Sequence, residues 1–124
     1  MIVSKEQTIA VIDDDGHFRA ALVDSLLSLG YGAREFASAE EFIALHGEFS
    51  CDCVITDVQM PGMCGFDLKQ SLTARHCRVP VIMVTALAEP ELNARAAASG
   101  AICLLRKPFA ATALLACLSS ALDC

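Results

Sequence analysis

Four short apolar runs limit most severely what this chain can fold into: TIAVI (8–12), CDCVIT (51–56), VIMVT (81–85) and AICLL (101–105). A strand with one wet face alternates apolar and polar residues. These runs are close to continuously apolar and rich in β-branched residues, so they read as strands covered on both faces. A fifth segment, YGAREF (31–36), alternates as a strand near a sheet edge does.

Between the runs the spacing changes to that of helices. Phe18, Leu22, Leu26 and Leu29 recur along one face, with Gly30 as a stop. Ser38 and Glu41 are spaced as a capping box before Phe42 and Leu45. Leu68 and Leu72 mark a third helix. ELNARAAAS (91–99) is a fourth, with Pro90 tolerated in its first turn and Gly100 just past its end. Leu114, Leu118 and Leu122 give a fifth its buried stripe.

Strands alternating with helices in this way make parallel βαβ units, and right-handed crossovers place helices on both faces. We therefore expect one α/β domain over residues 1–124: a doubly wound, five-stranded parallel sheet in order 2-1-3-4-5, flanked by five helices, flavodoxin-like. The length of 124 residues fits one core and leaves no room for a second.

Ligands of such sheets bind beyond the carboxyl ends of the strands, at the point where the strand order reverses. The first strand is followed by Asp13, Asp14 and Asp15, and the third ends at Asp57. Thr85 and Ala86 follow the fourth, and Lys107-Pro108 the fifth. In this order strands one and three are neighbours, so two acids of the first face Asp57. Close carboxylates repel and raise at least one pKa, so they need positive charge. A hard divalent ion with oxygen ligands supplies it, and Mg2+ suits a few carboxylates plus waters. With one such ion and Lys107, the charges of Asp13, Asp14 and Asp57 balance.

Each residue alone has an ordinary explanation. An Asp after a strand is often a cap or turn former, the role assigned to Asp15. Lys-Pro is often a solvated turn, and a strand-ending Thr often reflects β-propensity. Their convergence on one rim carries the signal.

Composition narrows the alternatives. A net charge of -6 argues against phosphate-driven nucleic-acid binding by this domain, and no basic membrane-surface patch is present. The apolar runs are too short to span a bilayer, and MIVSKEQT lacks the apolar stretch of a signal peptide, which points to a cytoplasmic protein. The seven cysteines include no Cys-x-x-Cys pair. Most read as small buried hydrophobes in a reducing compartment, with Cys64 and Cys124 more exposed. His17, His46 and His76 lie in separate segments and read as surface or cap residues.

The pieces VIDDD, VITDVQMPGMCG, VIMVTA and LLRKPF together resemble the receiver domains of two-component response regulators, in order and spacing, over essentially the whole chain. GYGAREFASAEEF resembles the FixJ-like branch, whose members usually join a receiver to a C-terminal helix-turn-helix domain. The resemblance implies that Asp57 accepts a phosphoryl group from a sensor histidine kinase, forming an acyl phosphate. It implies that Asp14, Asp57 and the backbone carbonyl of Gln59 hold Mg2+ (or Mn2+), with Asp13 acting through a metal-bound water. Lys107 and the hydroxyl of Thr85 would meet the phosphoryl group, with the Ala86 amide beside them. Where the family usually carries an aromatic residue, three places before the lysine, this chain has Leu104, so the coupling of threonine to a ring is altered.

The output surface implied is the fourth helix, fifth strand and fifth helix, with Leu87, Leu92, Arg95, Leu104 and Arg106, as a site of phosphorylation-dependent homodimerisation. The chain would then be the N-terminal part of a longer regulator, and any DNA contact would belong to its output domain.

Three other readings compete. An Asp-nucleophile phosphatase usually has a second acid two residues after the nucleophile, where this chain has Gln59. A flavin or nucleotide module would carry a glycine-rich loop after the first strand, where acids stand instead. A phosphorylation-independent docking domain would not need the intact acceptor positions.

Overall fold

A computed structural model of the protein describes residues 7–45 and 51–122. His46 and Cys124 lie outside the described residues. The elements alternate as β1 (Thr8–Ile12), α1 (Gly16–Ser28), β2 (Gly32–Phe36), α2 (Ala39–Leu45), β3 (Cys53–Asp57), α3 (Gly65–Ala74), β4 (Val81–Thr85), α4 (Pro90–Ser99), β5 (Cys103–Arg106) and α5 (Ala111–Leu122). All strand pairs are parallel, in the order β2-β1-β3-β4-β5. This is the expected doubly wound fold.

The sheet divides the core in two, and the period of the strands decides which side chain goes where. Ile9 and Val11 of β1 face α1 and α5, packing with Leu22, Leu26, Ile55, Leu114 and Leu118. Ala10 and Ile12 face the opposite layer, with Phe36, Phe42, Leu68, Leu72 and Met83. Both faces of β1, β3 and β4 are dry, which is why their sequences do not alternate.

Strand bounds differ slightly from the apolar runs. β3 starts at Cys53 because Asp52 is used as a tie: its carboxylate accepts from the Thr8 amide at 2.8 Å, and its own amide donates to the Thr8 carbonyl at 2.8 Å. β5 starts at Cys103 and extends to Arg106. The helix starts follow the capping chemistry. Asp15 caps α1, accepting from the amides of His17 and Phe18 at 3.1 Å each. These bonds hold its carboxyl below the usual range. Ser38 Oγ accepts from the Glu41 amide at 3.0 Å, but the returning Glu41 carboxylate reaches the Ala37 amide instead of that of Ser38.

Of the described cysteines, Cys53 and Cys117 are buried, while Cys51, Cys64, Cys77 and Cys103 are half-buried. The expectation of mostly buried thiols therefore holds fully for two. Burial pushes the thiols of Cys53 and Cys117 up to about 12 and that of Cys51 up to about 11, so these three stay protonated at neutral pH. His17 and His76 are exposed. No helix among the described residues is long and apolar enough to cross a membrane.

Candidate functional site

The parallel register aligns the carboxyl ends of the strands and places their terminal polar residues on one rim. β1 ends as β3 does, with Ile12 opposite Thr56, and Asp57 lies opposite Val84. Asp13 follows β1 and is 2% exposed; its backbone amide donates to the Phe36 carbonyl at 3.1 Å. Asp14 is exposed. Asp57 is 8% exposed at the end of β3. One carboxylate oxygen from each of these three acids lies within 4.8 Å of the other two.

Lys107 answers this negative charge from beyond β5. Its backbone amide donates to the Thr85 carbonyl at 2.7 Å, which ties the residue to the β4 end. Its Nζ donates to Asp13 Oδ2 at 2.9 Å and to Asp57 Oδ2 at 3.4 Å. The same ammonium lies 4.0 Å from the centroid of the Phe18 ring, and Phe18 packs edge-on against Phe109 at 5.8 Å. Burial alone would lower the lysine pKa. The hydrogen bond to Asp13 and the charges of both aspartates outweigh it, holding Lys107 above its ordinary value. For Asp57, burial and then the Asp13 charge raise the carboxyl, against the pull of Lys107, to about 6.

The loop after Asp57 is shaped by close approaches. Gly65 sits where an added Cβ would come within 2.7 Å of the Asp57 carbonyl oxygen, so only glycine lets α3 begin that near the end of β3. Gly62 has φ +78°, and a Cβ there would also collide with the Glu40 carboxylate. That carboxylate reaches from α2 to accept from the Met63 amide at 2.9 Å. Asp57 Oδ1 accepts from the Gln59 amide at 3.3 Å.

Thr85 is 1% exposed at the end of β4. Its hydroxyl donates to Gln59 Oε1 at 2.9 Å and accepts from the Leu87 amide at 3.0 Å. Ala86 is exposed beside it. The side-chain role of Gln59 was not legible in the sequence, where only its carbonyl is assigned a part. Phe18 beneath Lys107 and Glu40 on the loop were also missed: Phe18 reads simply as part of a helix stripe.

The expected output residues divide between two sides of α4. Leu87, Leu104 and Arg106 line a cavity of about 270 Å³ with Thr85, Glu89 and Asn93, between α4 and β5. Leu92 is only 7% exposed and packs into the core, which corrects its assignment to an outward face. Arg95 turns toward α3, 4.2 Å above the Phe66 ring, in a groove of about 490 Å³ shared with Leu92, Met60 and Pro61.

Three carboxylates converging on one point, two of them buried, form a hard-oxygen donor set that fits a divalent ion such as Mg2+. Comparisons with known proteins agree with this geometry. The chain matches the family described as response regulator receiver domain over residues 9–119. It is 32% identical to the response regulator protein TmoT of Ectopseudomonas mendocina, over 95% of this chain and 54% of that one. It is 35% identical to the transcriptional regulatory protein FixJ of Bradyrhizobium diazoefficiens, over 92% of this chain and 56% of that one. The crystal structure of FixJ-N superposes with a TM-score of 0.89 at 26% identity, covering 97% of this chain and 96% of that one. The chain thus spans about half the length of these full-length relatives. An acid cluster at a strand-order reversal, a lysine across it and a family match along nearly the whole sheet lead to one conclusion: the chain belongs to the receiver domains of two-component response regulators, on the FixJ-like side of that family.

Proposed function

We propose that Asp57 is the phosphoacceptor of this receiver and that a sensor histidine kinase is its donor. In the transfer an Asp57 carboxylate oxygen attacks the phosphorus of a phosphohistidine. A P–O bond forms, the P–N bond breaks, and the leaving imidazole takes up a proton. Such a reaction needs in-line positioning and charge neutralisation more than covalent help from the protein.

The observation that carries this reading is that Asp57 lies in the acid cluster with Asp13 and Asp14 and shares the Lys107 ammonium with Asp13. Asp13, Asp14 and Asp57, with the Gln59 carbonyl, are the groups that would hold Mg2+ or Mn2+. The ion, when bound, supplies the positive charge that keeps Asp57 ionised and neutralises the phosphoryl oxygens. Lys107 stands ready to pair with the phosphoryl group, and Thr85 and the Ala86 amide lie at the same strand ends. The added negative charge would draw Lys107 and Thr85 inward and change the face formed by Leu87, Leu104 and Arg106. We assign that face to homodimerisation or to an output domain in a longer regulator, acting in the cytoplasm.

The experiment is incubation with a small phosphodonor and Mg2+, followed by intact mass. A single phosphoryl adduct that disappears in Asp57→Ala supports the reading. No adduct in the wild type leaves a phosphorylation-independent docking domain as the better account.

A further inference from the structure

Gln59 touches both ends of the proposed switch, one through its backbone and the other through its side chain. Its residue's amide donates to Asp57 Oδ1 at 3.3 Å, while its Oε1 accepts the Thr85 hydroxyl at 2.9 Å. A threonine hydroxyl has one hydrogen to give. Here that hydrogen is already committed to Gln59, and the oxygen is held from the other side by the Leu87 amide at 3.0 Å. Thr85 cannot donate to a group on Asp57 until the Gln59 carboxamide lets go.

We propose that Gln59 is a positioning residue, a latch that holds the Thr85 hydroxyl in the resting receiver and competes with the phosphoryl group for its hydrogen. The inference rests on the phosphoacceptor reading of Asp57 and deepens it. Phosphoryl arrival disturbs the latch directly, because Gln59 is bonded to the same carboxylate that is modified. Release of Thr85 then frees the Leu87 amide, the first link into the loop leading to α4. Leu87 lines the α4–β5 cavity with Leu104 and Arg106. A hydrogen-bonded route from Asp57 through Gln59 and Thr85 to Leu87 therefore reaches the outer face without a ring at position 104.

The test uses Gln59→Met, which keeps the side-chain length and removes the acceptor, and Gln59→Glu, which keeps an acceptor oxygen. In the free wild-type protein, three-bond couplings should report one Thr85 χ1 rotamer. Gln59→Met should average that rotamer and shift the Leu87 amide resonance, and Gln59→Glu should restore both. With Mg2+ present, Gln59→Met should bind beryllofluoride several-fold more tightly, the factor associated with one competing hydrogen bond. The gain should vanish in a Thr85→Val background. An unchanged Thr85 rotamer and Leu87 amide in Gln59→Met overturn the latch, as does equal beryllofluoride affinity in Gln59→Met and wild type. Failure of every form, wild type included, to bind beryllofluoride refutes the phosphoacceptor reading instead, and the rotamer measurement then decides the latch alone.

Discussion

Asp13 and Lys107, 94 residues apart in the chain, meet at 2.9 Å, with the carboxylate side chain 3% and the ammonium side chain 16% exposed. This pair fastens the end of β1 to the segment after β5, across the strands that carry Asp57 and Thr85. Lys107 is at once a structural tie and a hydrogen-bond donor to Asp57, at 3.4 Å.

Removing the ammonium leaves Asp13 buried without its partner. Lys107→Met should lower stability by about 2 kcal/mol at pH 7.5 in Mg2+-free buffer. Added Mg2+ should recover part of the loss, since it supplies charge at the same carboxylates. Urea unfolding with and without Mg2+ measures both effects. Equal stability of variant and wild type would mean that the pair contributes nothing.

The raised Asp57 carboxyl gives the fold a pH dependence of known sign. An acid held at about 6 in the folded state against 3.8 ordinarily binds its proton more tightly when folded. Its contribution to stability is therefore lost as pH rises between those values, and the loss is complete above about 6. Asp57→Asn should be more stable than wild type at pH 7.5 without Mg2+, by on the order of 2 kcal/mol, and nearly equal to it at pH 4. Thermal unfolding at the two pH values checks this. A gain at pH 4 as large as that at pH 7.5 would contradict it.

Phe18 holds the ammonium from below. Phe18→Leu keeps an apolar side chain in the helix stripe but removes the ring face under Lys107. The lost attraction is about 0.5–2 kcal/mol, so phosphorylation by a small donor should slow by about twofold to thirtyfold. Stopped-time mass spectrometry gives the rate. An unchanged rate would show that the ring does not position the lysine.

The close approach at Gly65 makes the loop geometry testable. Gly65→Ala puts a methyl 2.7 Å from the Asp57 carbonyl oxygen, so backbone must move. We expect a loss of about 1–3 kcal/mol and a disproportionate fall in the phosphorylation rate, because the atom displaced belongs to Asp57, the proposed acceptor. Comparison of the variant's melting temperature and rate with those of Gly16→Ala, whose added Cβ has only the Arg19 side chain at 3.7 Å, separates crowding from helix propensity.

The fold was legible because burial on both faces writes itself into the chain. Strands such as TIAVI and VIMVT have no polar face, and only helices on both sides of a sheet allow that. The acids and Lys107 were legible because a parallel sheet turns strand ends into neighbours. What escaped was contact between side chains whose partners no periodicity specifies. Gln59 reaching Thr85, Glu40 reaching the Met63 amide and Phe18 lying under Lys107 all depend on loop paths. Leu92 was misread for a different reason. In α4 Leu92 is the one large apolar side chain and the remaining apolar positions are mostly alanines, so the buried face, set by Leu92 and Ala96, is not marked by a stripe of large apolar residues.

Asp57, and not another acid of the cluster, is the proposed phosphoacceptor. Borohydride reduces an aspartyl phosphate to homoserine, so treatment after phosphorylation, followed by peptide mass mapping, locates the acceptor. Homoserine is expected at position 57 alone, in a yield that depends on Mg2+. Homoserine at position 13 or 14, or none anywhere after exposure to donor and Mg2+, would contradict it.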